Sequence, residues 1–192
     1  MSRSSRGFAG IVFAMTLLCV SAQGWWIQPP RSAGEPRRLA PYVTSPISVV
    51  DKMLEAAGLR SGDTLYDLGC GDGRIVLAAA KGFGAKAVGV EISDALAKRA
   101  RQQAESLGLQ DQVRIVTGDM MNVDVSPASV VSLYLMTEAN ETLRPKLERE
   151  LKAGARVVSL EFKVRGWKPT KVEKVELHNH PYTIYVYEMP QR

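Results

Sequence analysis

Cysteine and histidine are scarce: the 192 residues contain two of each. Cys19 lies in an apolar leader and Cys70 inside a glycine-rich turn, so they are not placed as a structural disulfide pair, and a chain of this length needs none to build a core. His178 and His180 flank Asn179 beside Pro181 without further ligands at metal-site spacing, so no metal is expected. Charge of one sign is in small excess. Of the net +5, Arg3 and Arg6 in the leader supply two, and the remaining +3 is too little to argue for nucleic acid. A third glycine is also missing. The dinucleotide fingerprint G-x-G-x-x-G would need one at position 74, where Arg74 stands, and this argues against a nicotinamide dinucleotide. There is no internal repeat.

What is present divides into three parts. Arg3 and Arg6 precede an uncharged stretch, residues 7–30, whose apolar centre has the length of a signal-peptide core, with Val20-Ser-Ala22 as a cleavage site. The same stretch is long enough to span a bilayer with Trp25 and Trp26 at its interface, so residues 1–26 read as either a signal peptide or a membrane anchor. Residues 27–40 carry Pro29, Pro30 and Pro36 among arginines and small residues, the composition of a linker. Residues 41–192 form the folded domain.

Within that domain strands and helices alternate. Ser45 as N-cap and Pro46 at the first helical position open a helix with an apolar stripe at Val49, Val50, Met53 and Leu54, closed by Gly58. Strands are expected at 64–68, 87–91, 113–117, 130–135 and 156–162, with helices between them. One helix starts at Ser93 and buries Leu96, Ala100, Ala104 and Leu107. Another carries Leu143, Leu147 and Leu151 at every fourth position and should start or kink at Pro145. Two β-rich runs, 171–177 and 182–189, close the sheet as a hairpin. The fold class is α/β: a Rossmann-like, doubly wound, mostly parallel seven-stranded sheet with a C-terminal antiparallel hairpin.

The strand at 64–68 runs into Gly69-Cys-Gly-Asp-Gly73 and then a helix. Gly69 and Gly71 free the backbone to approach a ligand, the helix N-terminus favours a negative group, and Asp67 can hold a cationic amine. The next strand ends in Glu91, about twenty residues after the loop, where such a fold places an acid that accepts from ribose hydroxyls. The third ends in Gly118-Asp119, which brings a third carboxylate to the same edge.

On Asp67-Leu-Gly-Cys-Gly-Asp-Gly73, Gly89-Val-Glu91 and Gly118-Asp119 together, the chain resembles the class I S-adenosylmethionine methyltransferases. The resemblance implies S-adenosyl-L-methionine as cofactor, with the glycine loop on its methionine end, Glu91 on the ribose and Asp119 on the adenine amine. At the end of the fourth strand, Ser132-Leu-Tyr-Leu-Met136 lacks the Asn/Asp-Pro-Pro-aromatic run of exocyclic-amine base methylation, and no cysteine is placed for attack on a pyrimidine ring. Pro41-Tyr-Val-Thr-Ser-Pro46, Gly71-Asp-Gly-Arg-Ile-Val76, Lys146-Leu-Glu-Arg-Glu-Leu151, Ala155-Arg-Val-Val158 and Trp167 look like the protein-lysine methyltransferase family. That family includes the membrane-anchored mitochondrial enzymes acting on the c-ring protein of ATP synthase and on the adenine nucleotide translocase. Membership implies a protein lysine acceptor, such as one on a membrane protein, while the small net charge and the missing base-methylation motifs argue against a nucleic-acid partner. Tyr134 and Tyr42 are the candidates to line the acceptor channel, because aromatic faces attract alkylammonium groups. A small-molecule methyltransferase and a non-catalytic, membrane-tethered cofactor-binding module remain the alternatives. The expected location is membrane-anchored, with the cytoplasmic side favoured by cofactor supply, or exported if the leader is cleaved.

Overall fold

The computed structural model describes residues 43–190, all within the second of two compact units, Pro36–Arg192. Four short runs are apolar on both faces and become interior strands of the sheet's parallel part: β1 (Thr64–Leu68), β2 (Lys86–Glu91), β4 (Val130–Leu133) and β5 (Arg156–Leu160). With β3 (Val113–Thr117), β6 (Lys171–Leu177) and β7 (His180–Glu188) they form one seven-stranded sheet in the order β3-β2-β1-β4-β5-β7-β6. The five strands from β3 to β5 pair in parallel, and β7 enters antiparallel between β5 and β6. The strand order reverses at β1 and β4, where a doubly wound sheet opens a crevice at the strands' carboxyl ends.

Each face carries its own core. Helices α1 (Ile47–Ala56), α2 (Arg74–Phe83) and α3 (Asp94–Ser106) cover one face, where Val49, Ile75 and Ala97 join Leu65, Ala87, Val130, Val158 and Ile184. Helix α4 (Thr137–Glu150) covers the other, with Leu143 and Leu147 against Leu68, Leu133, Val157 and Tyr187. Because side chains alternate along a strand, Asp67, Glu91 and Ser132 share the face of Leu65 and Val130. Three prospective site residues thus lie on one side of the sheet before any loop is considered.

Several boundaries differ from expectation. Pro46, not Ser45, is the N-cap of α1, and no side chain caps it; the Ser45 carbonyl instead accepts from Arg74 Nη1. Leu107 lies just past the end of α3 and is 48% exposed, while Ala97 takes its place in the core beside Ala100 and Ala104. Pro145 sits inside α4, which starts eight residues earlier at Thr137. The buried Leu143 and Leu147 on both sides of the proline offset the lost backbone bond. The hairpin turn is only His178-Asn179, both at positive φ, so β7 begins at His180.

The expected membrane-anchored location does not hold for the described fold. Among the described residues no helix is long and apolar enough to cross a membrane, and the 1–26 leader and 27–40 linker lie outside them.

Candidate active site

The glycine turn follows β1 and is tied to β2 by its own backbone. The Gly69 and Cys70 amides both donate to the Val90 carbonyl, at 2.8 and 3.0 Å, and the Gly73 amide donates to the Cys70 carbonyl at 2.9 Å. Gly71 N donates to Glu91 Oε2 at 2.9 Å. Four loop amides are therefore spent within the protein. What the turn offers a ligand is room beside the start of α2, where the Arg74 amide itself donates to Asp72 Oδ1 at 3.4 Å. That room depends on glycine. Gly73 has φ +85°, and a Cβ there would stand 2.9 Å from Ala100 Cβ. At Gly89 on β2, a Cβ would lie 2.6 Å from Cys70 Sγ and 2.9 Å from Ile115 Cδ1.

Asp67 is 2% exposed at the end of β1. Its Oδ1 accepts from Ser132 Oγ at 2.8 Å, across the β1–β4 pair that sets Asp67 opposite Ser132. Its Oδ2 has no hydrogen-bond partner among the described residues. Burial pushes the Asp67 carboxyl up to about 7; the Ser132 bond opposes this, and the charges of Glu91 and Asp72 add to it. A buried carboxylate oxygen without a donor is costly unless something brings one. The position fits a cationic amine seated against the glycine turn.

Glu91 is also buried, and its two oxygens serve two backbones. Oε2 accepts from Gly71, and Oε1 accepts from Ser93 N at 2.8 Å, just before α3. Each oxygen keeps a second lone pair for an outside donor. Asp119 follows β3, where its Oδ1 accepts from Met121 N at 2.8 Å, and the neighbouring Gly118 amide donates to the Glu91 carbonyl at 2.9 Å. The predicted residues Asp67, Gly69, Gly71, Glu91 and Asp119 therefore stand along the ends of three adjacent strands. Glu91 is bonded to the loop of one neighbour and to the turn of the other.

Tyr134 follows β4 on the face of Ser132. Its half-buried ring packs against the core beneath α1 and α2, with the Phe162 ring 6.4 Å away. Burial first, then the charge of Glu161 and the nearby Tyr182, raise the Tyr134 hydroxyl above its ordinary value, so it stays protonated. Tyr42, the other expected channel residue, lies outside the described residues.

Three groups lie outside the predicted site residues. Ser132 was legible as the one polar residue in an apolar strand. Asp72 and Arg74 form a 2.7 Å ion pair, and Arg74 also reaches the Ser45 carbonyl, strapping the loop to the start of α1. Asn140 and Ser159, both without exposure, converge on the Phe162 carbonyl; no local pattern signals that meeting.

A family model for the ANTKMT methyltransferase domain matches residues 67–171. A protein-lysine N-methyltransferase of Saccharolobus islandicus (strain REY15A) is 51% identical over 148 residues, which cover 77% of this chain and 92% of the relative. The Mus musculus adenine nucleotide translocase lysine N-methyltransferase is 37% identical over 138 residues, covering 71% of this chain and 60% of that protein. Among solved structures, an RNA methyltransferase from Salinibacter ruber in complex with S-adenosyl-L-homocysteine superposes with a TM-score of 0.73 at 43% identity. That match covers 78% of this chain and 95% of the other.

Proposed function

The chain belongs to the ANTKMT methyltransferase domain family, and from that membership we propose that it transfers methyl groups to the ε-amine of a protein lysine. It is an S-adenosylmethionine-dependent methyltransferase. The observation that carries the acceptor reading is the 51% identity to a protein-lysine N-methyltransferase over 92% of that protein's length. We assign the catalytic domain to residues 41–192.

In this reading the orphan Oδ2 of Asp67 takes the cofactor's ammonium, and the side-chain-free Gly69 and Gly71 leave space for its methionine portion. Glu91 accepts from ribose hydroxyls with its spare lone pairs, and Asp119 accepts from the adenine amine. When bound, the cofactor supplies a methyl group on a sulfonium, open to in-line displacement. The protein's own work is to align the nucleophile and exclude water. Tyr134 forms a wall of the acceptor channel. Its raised hydroxyl makes it a poor base at neutral pH, so the lysine must lose its proton through its surroundings. From about 10.4 in water, desolvation and a neighbouring cation both lower that value.

An RNA acceptor, the reading suggested by the name of the Salinibacter protein, is disfavoured by charge. The whole chain carries only +5, and +3 without Arg3 and Arg6 of the leader. Backbone recognition of RNA needs clustered cations to replace counterions. The test is to incubate the full chain with methyl-labelled cofactor and cell extract, then divide the product between protease and nuclease. Label that survives nuclease and maps to lysine by mass spectrometry supports the proposal. Label lost to nuclease, label confined to small molecules, or cofactor binding without any transfer would each replace it with another reading.

A further inference from the structure

The turn after β5 holds a carboxylate that the cofactor site does not use. We infer that Glu161 recognises the charged acceptor, holding the lysine ε-ammonium at the mouth of the channel before transfer. This rests on the lysine reading above and names the residue that would select for it.

The backbone is the first observation. Glu161 has φ +64°, and the only other non-glycine residues at positive φ among those described are His178 and Asn179, where a two-residue hairpin demands it. No hairpin demands it at Glu161. A side chain held there costs about 1–2 kcal/mol and persists only where the surroundings over-determine it. They do so here. Glu161 N donates to the Thr183 carbonyl at 2.7 Å, Phe162 N donates to the Leu160 carbonyl at 2.8 Å, and the Phe162 carbonyl is held by Asn140 Nδ2 at 3.1 Å and by Ser159 Oγ. Two fully buried polar side chains thus fix one bend.

The second observation is what the bend presents. Glu161 makes no ion pair among the described residues. Its Oε1 accepts from Thr183 N, and Oε2 accepts from no donor among the described residues. Beside it stand Tyr134, whose hydroxyl feels the Glu161 charge, and Phe162, its neighbour in the chain. A carboxylate near the Tyr134–Phe162 ring pair, whose centroids lie 6.4 Å apart, offers the chemistry that takes an alkylammonium.

Position is the third. Leu133 pairs with Leu68 on one side and Ser159 on the other, so Gly69, Tyr134 and Leu160 follow in the next row of the sheet edge. With strands about 4.8 Å apart, the end of β5 lies roughly 10 Å from the end of β1. Glu91 and Asp119 occupy the strands on the opposite side of β1. A nucleoside over β2 and β3 leaves β4 and β5 as the side from which an acceptor arrives.

Glu161→Gln separates recognition from architecture, because the amide oxygen can still accept from Thr183 N. With the full chain and a lysine peptide that it methylates, E161Q should raise the acceptor KM about 10–100-fold. The cofactor Kd, the melting temperature and kcat should change little. The wild-type KM should rise with salt and that of E161Q should not, while Glu161→Asp should recover part of the loss. An E161Q enzyme with unchanged acceptor KM, in a protein whose wild type methylates lysine, overturns the assignment to Glu161 alone. A wild type that labels only RNA overturns the lysine reading and this inference with it.

Discussion

At the scale of single residues, the site is governed by the cost of burying Asp67. Its carboxyl titrates near 3.8 when unfolded and at about 7 in the fold, so the unfolded chain releases its proton first as pH rises. The folded protein without cofactor therefore loses stability between about pH 4 and 7, by roughly 4 kcal/mol from this one group, and loses no more above that. Asp67→Asn removes the charge at nearly constant shape. It should raise the melting temperature of the cofactor-free protein at pH 8 while lowering cofactor affinity at least about 100-fold, measurable by calorimetry of both kinds. A variant that binds as tightly as wild type would remove Asp67 from the site. Tyr134 has a different expected signature. Tyr134→Phe should leave kcat within about threefold because no proton passes through the hydroxyl, whereas Tyr134→Ala should raise the acceptor KM by about 5–30-fold through loss of a cation-binding face. A large fall in kcat for the Phe variant would show a proton-transfer role instead.

At the scale of elements, function depends on how closely the glycine turn lies on β2. Cys70 packs where a side chain at position 89 would be, and its thiol is pushed well above its usual range by burial, so it is a packing group and no nucleophile. Gly89→Ala should force Cys70 and Ile115 apart, cost about 1–3 kcal/mol in denaturant unfolding and weaken cofactor binding in parallel. The double variant with Cys70→Ala should recover most of both. If G89A is harmless, the loop does not sit as described. Much of this level was legible beforehand: short apolar strands ending in Asp67, Glu91 and Asp119 announce a parallel sheet with acids along one edge, because interior strands must be apolar on both faces. The rest depended on partners distant in sequence. Ser45 was read as a cap from its neighbours, but Arg74, 29 residues away, claims its carbonyl. Pro145 signalled a helix start or a kink, and packing of Leu143 and Leu147 carried α4 across it, which rules out the start. The bend at Glu161 has no local signal, since it is held by Asn140 and Thr183 from other elements.

At the scale of the molecule, the cofactor's charge and the domain's charge combine into one linkage. The whole chain carries a net +5, so its overall charge does not draw in a cation, and in the proposed reading the attraction comes from Asp67, with Glu91 and Asp72 nearby. Binding a cationic ligand beside Asp67 lowers its pKa and expels the proton it holds near neutrality. The most direct measurement is isothermal titration of the full chain with S-adenosylmethionine between pH 5.5 and 7.5, repeated in buffers of different ionisation heat. The expected result is an affinity that rises with pH up to about 7, with up to one proton released at the acidic end and the release shrinking as pH 7 is passed. An affinity that is flat across this range with no proton release, or no binding at all, would contradict the assignment of this strand-end carboxylate to the cofactor.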